Sequence, residues 1–287
     1  MSASTNGKNG SSGSGERDDQ ALAYAPVKGN EEAKSGTTKL NIYRGDAEGG
    51  EFIEYETDMI EGMVILDAVL NIQAEQAPDL AVRWNCKAAH CGSCSAEVNG
   101  RPTLMCKQRV NEYEGQEIKV QPMQAFPVIR DLVSDVSWNY EVSRSMQPFT
   151  TSEQAPFTMY EEDVERLYEP KSCIECFMCQ DVCHVLRTHH KHPEFAGPRF
   201  FVRGQWMEMH PMDEADRLKD LKQDHGIGYC NITKCCTEVC PVGIHITDNS
   251  IIPLKERVAD EYYDPAKWLM RKLRGRRNGT TNGSNGG

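Results

Sequence analysis

Twelve cysteines in this 287-residue chain fall into three groups, and their spacing suits thiolate ligands of iron-sulfur clusters. The groups are Cys86, Cys91, Cys94 and Cys106; Cys173, Cys176, Cys179 and Cys183; and Cys230, Cys235, Cys236 and Cys240. The first begins with the plant-type spacing C-x4-C-x2-C of 2Fe-2S proteins. The second and third follow the bacterial spacing C-x2-C-x2-C-x3-C, with one departure in each. The pattern therefore predicts a chain that carries electrons.

The first group requires an irregular loop, because thiolates that share a cluster must converge and neither a helix nor a strand brings them together. Gly92 lies between Cys91 and Cys94, where it permits a backbone conformation that a side chain would block. It also lets amide groups approach the bridging sulfides. We expect Cys86, Cys91, Cys94 and Cys106 to hold a 2Fe-2S cluster.

The second and third groups belong together, because the fourth cysteine of each bacterial run ligates the cluster of the other run. Cys240 is followed by proline, as the fourth cysteine of such a run usually is. We expect it to complete a 4Fe-4S site with Cys173, Cys176 and Cys179. The chain must then cross over between the two sites.

The third group departs from the pattern at Thr233, which stands where the second cysteine belongs. A threonine hydroxyl is too hard and too basic to replace a thiolate, so one iron corner lacks a ligand. The sequence predicts a 3Fe-4S cluster held by Cys183, Cys230 and Cys236. Cys235 is left over, and we interpret it as a small buried thiol. If Cys235 were a ligand, the cluster could keep its fourth iron.

Structural zinc and disulfides are the alternative uses of these cysteines. Zinc sites usually combine two Cys or Cys/His pairs, which the close triplet in the second group and the long gap in the first fit poorly. The chain opens without an apolar signal stretch, so we expect a reducing compartment in which disulfides are rare. A zinc-stabilised binding module without redox function remains the alternative from a different functional class.

Composition indicates a globular protein of about two domains, with 39% hydrophobic and 26% charged residues and a net charge of -11. Residues 1–37 and 273–287 are rich in small, polar or charged residues, and we expect both to be disordered tails. The domains are predicted at 38–126 and 127–272. We find no stretch of about 20 apolar residues, so the chain is not expected to span a bilayer.

The patterns within the two domains predict an α+β protein. Alternating residues at 40–43, 52–55 and 117–120 indicate strands, and the apolar residues from Val64 to Ile72 recur at helical spacing. Strands, one packed helix and a cysteine loop fit the β-grasp module of plant-type 2Fe-2S ferredoxins. The second domain should be all-α and resemble a bacterial dicluster ferredoxin, with helices around 129–140 and 163–168.

The motifs in this order resemble the iron-sulfur subunits of succinate dehydrogenases and fumarate reductases, over roughly residues 38–272. The strings Arg83-Trp84-Asn85-Cys86, Cys91-Gly92-Ser93-Cys94, Cys173-Ile174-Glu175-Cys176 and Cys240-Pro241 carry the resemblance, and Cys179–His184 and Asn231–Cys236 are closest to the actinobacterial type. The resemblance implies an FAD-containing flavoprotein beside the 2Fe-2S cluster. It also implies a membrane-anchor partner, in some members haem-bearing, beside the 3Fe-4S cluster. Electrons would pass along this line to quinone, on the cytoplasmic face of the membrane, without dicarboxylate chemistry in this subunit.

Departures from the family pattern concentrate at the quinone end. His184 stands where many members have proline, Thr188 where ubiquinone-linked members carry tryptophan, and Asn231 where they often have histidine. These residues are the quinone-proximal candidates, and the departures favour menaquinone. His184 could donate a hydrogen bond to a quinone oxygen or to a cluster sulfide.

Two further alternatives concern the partners. A similar subunit could serve a soluble thiol-linked fumarate reductase, and the sequence does not fix the direction of electron flow. The basic run at 271–277 is not expected to bind nucleic acid, because the protein is acidic and the run has no interleaved aromatic residues. It suggests either a patch that contacts anionic lipid headgroups or a solvated tail.

Overall fold

The computed structural model describes residues 34–154, 157–265 and 269. The tail predicted at 273–287 and residues 1–33 of the tail predicted at 1–37 lie outside the described residues. The basic run at 271–277 lies outside them as well. The first strand begins at Lys34, before the predicted domain start at residue 38.

A mixed five-stranded sheet forms the N-terminal half, in the order β2-β1-β5-β3-β4. Its strands are β1 (Lys34–Asp46), β2 (Gly49–Ile60), β3 (Ser95–Val98), β4 (Arg101–Leu104) and β5 (Ile118–Gln121). β1 pairs parallel to β5, and the other neighbouring strands are antiparallel. The strands predicted from alternation overlap β1, β2 and β5 and are confirmed.

One helix, α1 (Ile65–Glu75), packs on this sheet. Its apolar residues Ile65, Ala68, Val69 and Ile72 are fully buried, as their helical spacing predicts. They share one core with the inward-facing residues of β1, β3 and β5. This core supports the loop that carries the first cysteine group.

Residues 128–134 form a small antiparallel hairpin of β6 (Val128–Arg130) and β7 (Val133–Ser134). The helix predicted around 129–140 is therefore wrong in its first half. Asp131 explains the difference: its carboxylate is buried and accepts hydrogen bonds from the backbone of Gly45 at 3.0 Å and of Ala81 at 2.8 Å. It also pairs with Arg44 at 3.1 Å. These contacts with the first half hold the segment extended.

Helices predominate in the remainder. A 3₁₀ turn, Ile227–Tyr229, and a π-helix, Ile246–Ile251, accompany the α-helices there. A further 3₁₀ turn, Val110–Tyr113, lies in the first half between β4 and β5. The α-helices are α2 (Ser137–Ser145), α3 (Glu161–Lys171), α4 (Met178–Asp181), α5 (His184–Arg187), α6 (Pro198–Glu208), α7 (Leu218–Gln223), α8 (Cys235–Glu238) and α9 (Ile252–Tyr263). The helix predicted around 163–168 lies within α3 and is confirmed. A second core joins α5, α6, α9 and the π-helix.

A buried ion pair joins the two halves. Glu97 on β3 is fully buried, and its carboxylate accepts hydrogen bonds from both terminal nitrogens of Arg187 on α5, one of them at 3.0 Å. Asp181 lies beside the pair, 3.9 Å from Arg187. Because a charge this deep is stable only when it is paired, the contact fixes how the two halves meet.

Candidate metal centres

The first cysteine group surrounds a loop whose amides point at sulfur atoms. Cys86 and Cys91 lie between α1 and β3, Cys94 directly precedes β3, and Cys106 follows β4. The amide of Ala88 donates to Cys86 Sγ at 3.3 Å, and that of Ala89 donates to Cys106 Sγ at 3.3 Å. Hydrogen bonds of this kind stabilise thiolate charge.

Left-handed backbone at three positions bends this loop. Lys87 and Ala89 have φ of 54° and 58°, and Gly92 has φ of 68°. A left-handed conformation costs free energy at the two non-glycine residues. Such strain is common at functional sites, where the surrounding structure holds the backbone in one conformation. The loop is therefore shaped to direct its amides inward, as expected for a loop that encloses a cluster.

The thiols of the first group lie close enough to influence one another. Burial raises the pKa of Cys94 to about 12, and the neighbouring Cys106 thiol contributes. Burial also acts to raise the pKa of Cys91, but hydrogen bonds from Ser93 and Cys86 outweigh it and lower this pKa to about 6. Grouped thiols of this kind suit a metal centre, because bound iron compensates the thiolate charge.

The second and third cysteine groups lie in loops of the same shape. After Cys173, the residues with left-handed φ are Glu175 and Phe177, and a one-turn helix starts at Met178. After Cys230, the corresponding residues are Ile232 and Lys234, and the helix starts at Cys235. Superposing the two patterns puts Thr233 at the place of Cys176 and Cys235 at the place of Met178.

The structure brings together the four cysteines that the predicted crossover requires. Cys173, Cys176, Cys179 and Cys240 line one small enclosed cavity. Burial raises the pKa of Cys176 to about 12, and the charges of Cys173 and Cys240 add to it. The amide of Ile244 donates to Cys240 Sγ at 3.3 Å. The structure thus gathers the four cysteines expected to hold the 4Fe-4S cluster.

The remaining cysteines lie close to one another. Burial raises the pKa of Cys183 to about 12, with contributions from Cys235 and Cys236. Burial raises the pKa of Cys236 to about 11, and the charges of Cys235 and Cys230 add to this rise. The hydrogen bond with Thr247 opposes it. The Cys235 thiol contacts the Thr233 hydroxyl at 3.3 Å. Cys235 therefore lies beside the group formed by Cys183, Cys230 and Cys236, and it is half-buried rather than buried as predicted.

The three quinone-proximal candidates are half-buried or exposed. His184 begins α5 directly after Cys183, is half-buried, and contacts the His189 ring edge-on with centroids 6.0 Å apart. Thr188 follows α5, and Asn231 follows Cys230; both are exposed. All three can be reached from outside the protein.

Two contacts were not foreseen from the sequence. Gly92 lies against Cys176, so that a Cβ atom on it would come within 2.7 Å of the Cys176 Cα. Arg199 is buried and lines the cavity of Cys173, Cys176, Cys179 and Cys240. Neither contact has a local sequence signal, because each joins distant parts of the chain. Among the described residues, no group of three or more His, Cys, Asp or Glu side chains is arranged to hold a single metal ion.

Comparison with known proteins agrees with this arrangement. Residues 39–141 match the family described as 2Fe-2S iron-sulfur cluster binding domain, and residues 169–244 match the 4Fe-4S dicluster domain. The fumarate reductase iron-sulfur subunit of Escherichia coli O6:H1 is 30% identical over 194 residues, which cover 65% of this chain and 78% of that protein. The succinate dehydrogenase iron-sulfur subunit of Paracoccus denitrificans is 27% identical over 237 residues, covering 80% and 91%.

A solved structure extends the likeness to the tertiary level. A chain of the Mycobacterium smegmatis Sdh1 complex in the apo form is 53% identical, with a TM-score of 0.78, and the match covers 80% of this chain and 98% of that one. The chain belongs to the family of succinate dehydrogenase and fumarate reductase iron-sulfur subunits. This iron-sulfur subunit transfers electrons within an oxidoreductase complex. Both the family and the α+β fold class predicted from the sequence are confirmed.

The iron-sulfur subunit contains domains for 2Fe-2S and 4Fe-4S clusters. The mutually close thiols of its three cysteine groups fit such clusters. Among the residues that the structure describes, no helix is both long and apolar enough to cross a membrane.

Proposed function

We propose that the iron-sulfur subunit holds three clusters in line and relays electrons between a flavoprotein and quinone. The ligand sets are Cys86, Cys91, Cys94 and Cys106 for 2Fe-2S; Cys173, Cys176, Cys179 and Cys240 for 4Fe-4S; and Cys183, Cys230 and Cys236 for 3Fe-4S. Each bound cluster supplies one-electron redox chemistry. The protein supplies the ligands, the hydrogen bonds to sulfur and the spacing between sites.

The contiguity of the three cysteine sets supports a relay. The first set meets the second where Gly92 packs on Cys176. The second meets the third at Cys179, where burial raises the pKa well above its usual value and the charges of Cys176, Cys173, Cys236 and Cys240 add to it. Because neighbouring sets approach each other at these two places, a short path connects all three.

Each end of this line has exposed side chains, and we assign a different partner to each. Cys86 and the indole of Trp84, 37% exposed, lie at the surface beside the first set, and we assign this end to an FAD-containing flavoprotein. Tyr229 and Ile232 are 50% and 40% exposed beside Cys230 at the other end. Exposed apolar side chains of this kind suit a membrane-anchor subunit, which can carry haem, at the cytoplasmic face of the membrane.

Menaquinone is the quinone that we propose for this end. Thr188 and Asn231 replace residues typical of ubiquinone-linked members, His184 stands where many members have proline, and all three are accessible. We propose that His184, directly after Cys183, donates a hydrogen bond to a quinone oxygen. Turnover of the purified complex with both quinone classes tests this proposal, and a clear preference for ubiquinone would contradict it.

Low-temperature EPR with iron and sulfide quantitation tests the cluster set. Anaerobic protein should show an oxidised 3Fe-4S signal, and reduced 2Fe-2S and 4Fe-4S signals after dithionite. A Cys235→Ser variant is the matched control: it should keep the 3Fe-4S signal. A second 4Fe-4S signal that Cys235→Ser removes would show instead that Cys235 is a ligand.

A further inference from the structure

Arg199 occupies an unusual place for an arginine. It stands in the first turn of α6, exposes 7% of its surface, and lines the same cavity as Cys173, Cys176, Cys179 and Cys240. Its backbone amide donates to the side chain of Gln180 at 3.2 Å, which fixes the start of the helix. Arginine is rarely buried unless a partner compensates its charge, so the groups that stabilise Arg199 beside four thiols must be identified.

Its hydrogen bonds are satisfied on one side only. The Nη2 group donates to the carboxylate of Glu175, a residue within the Cys173–Cys176 loop. The Nε group is buried and has no hydrogen-bond partner in the protein. An unpaired buried donor destabilises the protein, and a charged one does so more strongly. A bound group with acceptor atoms in the cavity would remove this cost.

The electric field of Arg199 reaches the cysteines. Burial raises the pKa of the Cys173 thiol, and the charge of Arg199 is the first of the effects that oppose the rise. Arg199 therefore favours negative charge in the cavity. Glu175 partly offsets it from the outer side, where its carboxylate is 41% exposed.

We propose that Arg199 tunes the reduction potential of the 4Fe-4S cluster held in this cavity, by donating its Nε hydrogen bond to a cluster sulfur and by its positive charge. The inference rests on the proposed ligand set for that cluster. Reduction adds one electron and hence one negative charge, which a nearby cation stabilises. Arg199 thus raises the potential, and Glu175 lowers it.

Redox titration of the purified complex, followed by the EPR signal of the reduced 4Fe-4S cluster, tests this role. Arg199→Met should move the midpoint to a more negative potential by at least a tenfold change in the equilibrium constant, about 59 mV for one electron. Arg199→Lys retains the charge but not the Nε donor, so its shift should have the same sign and be smaller. Glu175→Gln should move the midpoint in the positive direction.

Arg203 provides the matched control. It lies one turn further along α6, is 40% exposed, and is 3.9 Å from the same Glu175 carboxylate. Because water screens an exposed charge, Arg203→Met should shift the midpoint by less than half as much as Arg199→Met. Equal shifts in these two variants would overturn the specific role of Arg199.

The remaining outcomes are equally decisive. A full 4Fe-4S signal in Arg199→Met with an unchanged midpoint would overturn the inference. If Arg199→Met does not retain the cluster, opposite shifts in Arg199→Lys and Glu175→Gln support the inference, whereas shifts of the same sign or none overturn it. If the unsubstituted complex lacks a 4Fe-4S signal, the ligand set fails, and the inference fails with it.

Discussion

Replacing Gly92 with alanine tests whether the first two cysteine sets are held in direct contact. The new Cβ would lie 2.7 Å from the Cys176 Cα, 2.8 Å from its Cβ and 3.0 Å from its amide nitrogen. Two of these three atoms belong to the backbone, so no side-chain rotation relieves the overlap. For the closest pair of carbons to reach about 3.5 Å, the two loops must separate by roughly 0.8 Å.

The cost of this substitution has two parts. Gly92 has φ of 68°, and alanine in the left-handed region costs roughly 1–2 kcal/mol. Overpacking against Cys176 adds about 1–3 kcal/mol. A substitution at Gly100 allows the two costs to be measured separately, because Gly100 has φ of 77° and an added Cβ there would have no atom within 4 Å. Gly100→Ala should therefore show only the conformational cost.

The assay compares thermal unfolding of the two variants, prepared anaerobically with their clusters. A difference of about 1–3 kcal/mol corresponds to a midpoint for Gly92→Ala that is roughly 2–12 °C below that of Gly100→Ala. EPR of the reduced protein provides a second measurement, because separating the loops weakens the magnetic coupling between neighbouring clusters. Equal midpoints together with unchanged coupling would refute the close contact between Gly92 and Cys176.

Three further predictions concern other parts of the protein. Arg187→Met should lower the free energy of unfolding by about 3–5 kcal/mol, because it removes the ion-pair partner of the buried Glu97 carboxylate; a loss below about 1 kcal/mol in chemical denaturation would show the pair to be energetically weak. Thr233→Cys should supply the missing ligand and replace the oxidised 3Fe-4S EPR signal with a second 4Fe-4S signal, and persistence of the 3Fe-4S signal would contradict the assignment. Burial lowers the pKa of His225, so stability should fall as the pH drops below its unfolded value of about 6.5, since the unfolded chain then binds more protons. His225→Gln should flatten this acid-side slope in unfolding measurements, and an unchanged slope would exclude His225 as its source.

Local patterns accounted for much of the fold. The helical spacing from Val64 to Ile72 and the alternation in β1, β2 and β5 reflect which face of each element is buried, and this face is encoded residue by residue. The hairpin at 128–134 was missed, because Asp131 stabilises it through the backbone of Gly45 and Ala81. Those partners are distant in the chain, and no pattern within the segment reports them.

The sequence by itself determined the chemistry of this protein. Cysteine spacing limits which thiols a short loop can bring together. The threonine at 233 shows in the sequence alone that the third group departs from the bacterial spacing. Only the tertiary structure decided what surrounds those thiols. It placed Gly92 on Cys176, the Cys235 thiol beside Thr233, and Arg199 in the cavity wall. The physical reason is that spacing within a loop is a local property, whereas packing and electric fields depend on groups that folding brings from elsewhere in the chain.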